Sequence, residues 1–85
     1  MLKVYGAKWC PHCVKTTAHL KKKNIEFEYI EIEEQPDQVV QKIIEVNGGQ
    51  DWVVPTLEYK GKFREGREYD SLQLDMDLRA LGLDI

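Results

Sequence analysis

The sequence predicts an α/β fold: a four-stranded mixed sheet with helices on both faces, in the order β-α-β-α-β-β-α. Three observations lead there. Short strand-like runs (Leu2 to Tyr5, Ile25 to Ile32, Val53 to Tyr59) alternate with segments of helical apolar spacing. Val53–Tyr59 and Lys62–Arg64 flank Lys60-Gly61, which is a hairpin signal. A strand-helix-strand unit at the start then implies a parallel, right-handed crossover. A chain of 85 residues has room for one modest core, so residues 1–85 are expected to form a single domain.

Each element has a local reason. Leu2 to Tyr5 alternates Leu, Lys, Val, Tyr as a half-buried strand does, and Gly6 is expected to break it. Pro11 suits the first turn of a helix, where no N–H is needed. Val14, Thr17, Ala18 and Leu20 are predicted to form its inner face, and Asn24 its end. Ile25 to Ile32 is rich in Ile, Phe and Tyr. Its alternation changes phase at Tyr29–Ile30, so the strand is either covered on both faces or carries a bulge. Pro36 opens a second helix with Val39, Val40, Ile43, Ile44 and Val46 inward, and Asn47-Gly48 closes it. Asp70 can cap the last helix, with Gln73 three residues on as in a capping box. Leu74, Leu78 and Leu81 make its inner stripe, and Gly82 stops it.

Composition excludes several classes of function. The chain is 42% hydrophobic and 32% charged, with net charge −3 and a pI near 5.3. No general basic field draws nucleic acid. The basic run Lys21–Lys23 and the acidic stretch from Glu26 to Asp37 read as solvated surface. The apolar runs are too short to cross a bilayer, so no membrane role is expected. The N-terminal stretch "MLKVYGAKWC" has no apolar signal segment, which makes the cytoplasm the expected location.

Two cysteines stand out. Cys10 and Cys13, in "KWCPHC", are the only ones in the chain. Structural disulfides rarely persist in the cytoplasm, and a bridge this short would constrain the unfolded chain little. A zinc site generally needs four ligands. His12 lies inside the loop and cannot complete a tetrahedron with both neighbours, and His19 is expected to face solvent; no metal is expected. A cysteine-protease arrangement needs a histidine base with an orienting group, and nothing marks that group. What remains is redox chemistry. The pair falls between the first strand and the first helix. Free N–H groups and the positive end of the helix dipole are expected to favour a thiolate at Cys10, below the free value of about 8.5. Cys13, further inside, is expected to be shielded yet within reach of the first sulfur. Disulfide exchange needs that arrangement: one thiolate attacks and a neighbour resolves the mixed disulfide.

With these residues on the page, the chain resembles a glutaredoxin over essentially its full length. The family's Cys-Pro-Tyr-Cys appears as Cys10-Pro11-His12-Cys13. Its Thr-Val-Pro appears as Val53-Val54-Pro55. Its double-glycine stretch appears, much altered, as Glu65-Gly66-Arg67-Glu68. The resemblance implies a thioredoxin-like fold and a thiol-disulfide oxidoreductase that reduces protein disulfides and glutathione mixed disulfides. Cys10 would be the nucleophile and Cys13 the resolving thiol. No tightly bound cofactor is implied; glutathione is the reductant and co-substrate.

By the same resemblance the Val54–Pro55 bond is cis and lies beside Cys10. The Val54 main chain would pair with a bound thiol peptide in the manner of strand addition. The implied glutathione contacts are Lys8, Trp9, Val54, Pro55 and an acid near the last helix, either Glu68 or Asp70. The family's basic residue three places before the first cysteine is here Ala7, with Lys8 one place nearer, and only Gly66 remains of the glycine pair. The stretch "EGREYDSL" is similar in spacing to redoxins that serve ribonucleotide reductase and draw on thioredoxin reductase, whereas Pro11 is the glutaredoxin choice.

Trp9 and Trp52 either rim the site or pack partly on the core. His12 replaces the family tyrosine, and Cys-Pro-His-Cys is also the motif of the periplasmic oxidant DsbA. A protonated imidazole beside Cys10 would favour its thiolate, which implies a somewhat more oxidising member. An iron–sulfur cluster carrier with glutathione as co-ligand is a further family-level alternative, against which Pro11 argues. Ribonucleotide reductase and methionine sulfoxide reductase are the client classes implied, and a monomer is expected.

Overall fold

In the computed structural model, which describes residues 1–85, strand β1 (Leu2–Gly6) runs through the interior of the sheet. Around it are α1 (Pro11–Lys22), β2 (Phe27–Glu31), a single 3-10 turn (Ile32–Glu34), α2 (Asp37–Val46), β3 (Thr56–Tyr59), β4 (Lys62–Arg64) and α3 (Ser71–Leu81). The strand order is β2-β1-β3-β4. β1 pairs parallel with β2 and antiparallel with β3, and β3 pairs antiparallel with β4. This is the four-stranded mixed sheet and the element order read from the sequence. No helix is long and apolar enough to cross a membrane.

Alternation along β1 builds two cores. Leu2 and Val4 face one way and meet Leu20 of α1, Leu57 of β3, and Leu74, Leu78 and Leu81 of α3. Tyr5 faces the other way, with Ile30, Phe63 and Ile43 of α2. So α1 and α3 cover one face and α2 the other. Cys10 and Cys13 belong to the second cluster, together with Ala7 and Ile32.

Several boundaries and faces differ from expectation. Gly6 does not break the strand after Tyr5 but belongs to β1 as its last residue, paired with Glu31. The inner face of α1 is Cys13, Thr16 and Leu20; Val14 and Ala18 are exposed. Cys13 and Leu20 are two turns apart, and burying both thiol and leucine turns the face away from Val14. β2 is shorter than Ile25–Ile32 and has no bulge, since its register with β1 is continuous. It is an edge strand touched on both faces: Phe27 packs towards the α1–α3 core and Ile30 towards the α2 core. That accounts for the phase change. In α2 only Ile43 is fully buried, with Val39 and Val40 half-covering the same cluster. β3 starts at Thr56, after the Val53–Pro55 segment. Asp70 does cap α3, accepting the Gln73 N–H at 2.9 Å. Gln73 does not return the bond; its amide donates to Asp77 instead, so half of the capping box forms.

Candidate active site

The loop from Ala7 to Cys10 carries the chain from the end of β1 into α1. Cys10 occupies the N-cap position, its N–H donating to Ala7 O at 3.0 Å. Its carbonyl accepts the N–H groups of Cys13 and Val14, both at 3.1 Å. Pro11 has no N–H to place. The free donor at the helix tip is therefore the N–H of His12, and the first turn is otherwise closed on itself. Both cysteines are free thiols. Cys10 is 6% exposed and Cys13 2%.

The two cysteines belong to one buried cluster, yet the surroundings of their sulfurs differ. Cys10 Sγ is 4.0 Å from Val54 O. Cys13 Sγ lies 3.5 Å from the Ala7 N–H. Burial pushes the Cys13 thiol up to about 12, and the Ala7 N–H only partly offsets it. In the reduced pair Cys13 is thus held as a thiol at neutral pH.

The Val54–Pro55 peptide is cis, as the resemblance implied. The segment before it is braced from three sides. Thr56 Oγ1 donates to Val53 O at 2.6 Å. The Asn47 amide donates to Thr56 Oγ1 and accepts the Gly66 N–H at 2.8 Å. A side chain at Gly66 would meet Val53 backbone and side-chain atoms at 2.6–2.7 Å, so only glycine fits there. Behind Pro55, buried Arg64 donates from Nη1 to the Pro55 carbonyl at 3.3 Å and from Nε to Asp77 at 2.9 Å. Burial pulls the Arg64 guanidinium down, while the bond to Asp77 holds it up. Burial likewise pushes the Asp77 carboxyl up, but the bonds from Arg64 and Gln73 outweigh this and hold it below the usual carboxylate range.

Of the residues singled out in the sequence, Cys10, Pro11, Cys13, Val54 and Pro55 come together. Val54 and Trp52 pack half-buried against the cluster that contains both cysteines. Trp9 stands 61% exposed, its indole N–H donating to Glu33 at 2.7 Å. Lys8 gives its backbone N–H to Glu31 and lines the cavities on the β2 side, where Val54 takes no part. Asp70 is at the cap of α3; Glu68 is exposed two residues before it.

Both histidines depart from expectation. His12 Nδ1 accepts the backbone N–H of Tyr69 at 3.0 Å. A backbone N–H can only donate, so the ring here is the neutral tautomer with its proton on Nε2, not an imidazolium. His19 does not face solvent. Its side chain is 7% exposed, with Nε2 donating to Asp75 at 2.8 Å and Nδ1 paired with the Tyr69 hydroxyl at 3.0 Å. Hydrogen bonds from Lys23 and His19 hold the Asp75 carboxyl below the usual range.

A family model described as Glutaredoxin matches residues 2–64. Among solved structures, the chain is similar to the glutaredoxin (grx-1) from Archaeoglobus fulgidus, with 27% identity and a TM-score of 0.72. That match covers 92% of this chain and 85% of the other. A wheat glutaredoxin shares the fold at 23% identity and TM-score 0.62, over 95% of this chain and 72% of that one. The glutathione transferase Omega 3C from Trametes versicolor shares it at 23% identity and TM-score 0.57, over 93% of this chain and 32% of that one. No curated protein matches the sequence.

Proposed function

The chain belongs to the glutaredoxin family and is a thiol-disulfide oxidoreductase; from that premise we propose that it runs a Cys10/Cys13 dithiol cycle recharged by glutathione. The observation that carries this reading is the contrast within the pair. Cys10 stands at the helix tip beside the Val54 carbonyl, while Cys13 is buried and held as a thiol.

Cys10 thiolate attacks a disulfide, forming a mixed disulfide and releasing one substrate thiolate. Cys13 then attacks Cys10 Sγ, forming the Cys10–Cys13 bond and releasing the second substrate thiolate. One glutathione thiolate reopens that bond at Cys10 and frees Cys13. A second glutathione removes the first as glutathione disulfide. Glutathione mixed disulfides are reduced by Cys10 and glutathione alone.

Val54 supplies main-chain groups beside Cys10 for the cysteinyl part of glutathione, with Pro55 behind it. Trp9 offers an exposed apolar surface. Asp70, at the helix cap, is better placed than Glu68 to hold the γ-glutamyl ammonium, where N–H groups and carboxylate converge. Lys8 is left for the glycine carboxylate. His12 contributes as a neutral acceptor that ties Tyr69 to the dithiol loop. The expected clients are disulfide proteins of the ribonucleotide reductase or methionine sulfoxide reductase kind, in a cytoplasmic setting where free thiols persist.

The test is NADPH consumption with a glutathionylated small thiol under two electron supplies. Turnover is expected with glutathione and glutathione reductase. Turnover with thioredoxin reductase alone would instead make the chain a redoxin. Ala7 in place of the family's basic residue, and Gly66 without a second glycine, favour that second reading.

A further inference from the structure

Resolution requires Cys13 to lose a proton, and the site just described offers it no base. The β2 side does. Leu2, Val4 and Gly6 of β1 stand opposite Phe27, Tyr29 and Glu31 of β2, so these three side chains alternate onto the face that α1 covers. At Gly6 there is no side chain, and the space is shared. The point where a Gly6 Cβ would sit is 3.1 Å from Cys13 Sγ and 3.3 Å from Tyr29 Oη. The Tyr29 hydroxyl donates to Glu31 Oε1 at 3.0 Å, and the Lys8 backbone N–H donates to the same oxygen at 3.0 Å.

The other carboxylate oxygen, Glu31 Oε2, is buried and has no hydrogen-bond partner. A buried carboxylate oxygen without a donor is costly and calls for a reason. A cavity of about 450 Å³ between α1 and β2 is lined by Ala7, Lys8, Cys13, Val14 and Tyr29 among others, and a second cavity, lined by Glu31, shares Lys8 and Tyr29 with it.

We propose that Glu31 is the proton acceptor for Cys13 in the resolving step, and that Tyr29 is the positioning residue that holds its carboxylate. The proposal rests on the dithiol cycle above. In the step, the Cys13 S–H proton passes to the Glu31 carboxylate, directly or over one intervening water. The Cys13 electron pair forms the bond to Cys10 Sγ. The bond from Cys10 to the substrate sulfur breaks, and that sulfur leaves as thiolate. Glu31 ends neutral and later returns its proton to solvent. No net charge is created behind Cys13, because the negative charge moves from carboxylate to thiolate. The Glu31 charge, one of the influences holding Cys13 protonated, disappears with the transfer. The titratable groups around Glu31 are Tyr29 and Glu28 on its own strand, Lys8 before α1, Cys13 on the α1 side, and Glu34 after the strand.

Stopped-flow mixing of the reduced protein with excess 5,5′-dithiobis(2-nitrobenzoate) separates the two steps. Cys10 attack releases the first chromophoric thiolate and Cys13 resolution the second. In Glu31→Gln the first phase should be unchanged, while the second should slow about a hundredfold at pH 7 and recover as pH rises and hydroxide takes over. Glu31→Asp should restore part of the loss, and Tyr29→Phe should slow only the second phase, to a smaller extent. An unchanged second phase in Glu31→Gln would overturn the proposal. So would an equal loss at every pH, which marks a displaced Cys13. Absence of the first phase in the unsubstituted protein would refute the dithiol reading itself.

Discussion

Cys13 keeps its sulfur 3.1 Å from the point where a side chain on Gly6 would begin, and Tyr29 Cε1 is nearer still at 2.9 Å. Gly6 is therefore a packing requirement of the resolving thiol. Gly6→Ala should destabilise the fold by about 1–3 kcal/mol through overpacking, read from urea unfolding of the reduced protein. It should also slow resolution by moving Cys13. The thiols themselves are legible in the sequence, since two cysteines three positions apart at a strand-helix junction need no distant residue to be placed. Glu31 is not legible. It sits within the acidic stretch that reads as solvated surface, and only its pairing with Gly6 brings it behind Cys13. His19 is misread for a similar reason, because its partners Tyr69 and Asp75 lie 50 and 56 positions away.

Among the elements, β4 and α3 are tied to the Pro55 segment by one guanidinium. Arg64 reaches the Pro55 carbonyl and Asp77 together, and both ions are nearly buried. Arg64→Met leaves the Asp77 carboxylate without its main partner and should cost about 3–5 kcal/mol. The double variant Arg64→Met, Asp77→Leu should recover much of that in chemical denaturation; equal instability of the two would show that the pair is not the cause. The sequence locates these elements through their caps and turns, which are local: Pro11, Pro36, Asn47-Gly48, Lys60-Gly61 and Gly82 all mark boundaries. It misplaces the inner face of α1, because Val14 and Ala18 compete with Cys13 and Thr16 as apolar candidates, and the sheet chooses between them. The bracing of the Val53–Pro55 segment by Asn47, Thr56 and Gly66 is likewise set by tertiary contact.

For the molecule as a whole, the sheet order divides two cores, and the redox pair sits at one end of the α2-side core. Charge couples this packing to pH in two directions. Asp75 and Asp77 titrate lower in the fold than the ordinary unfolded value near 3.9. Their stabilisation is complete above that value and is lost as pH falls through their folded values. Cys13 is the opposite case, raised to about 12 in the fold. Its stabilisation is complete below the unfolded thiol value of about 8.5 and is lost as pH rises towards the folded one. Unfolding midpoints of the reduced protein should therefore fall below about pH 4 and above about pH 8.5. Asp75→Asn should blunt the acid limb and Cys13→Ala the alkaline one.

The assignment of unequal roles to the two thiols is tested most directly by intact mass after exposure to oxidised glutathione. Cys13→Ser should carry one glutathione, mapped to Cys10, and should keep deglutathionylation activity while losing dithiol reduction of protein disulfides. Cys10→Ser should carry none and be inactive in both reactions. A stable adduct on Cys13 in Cys10→Ser, or equal loss of both reactions in Cys13→Ser, would contradict the account.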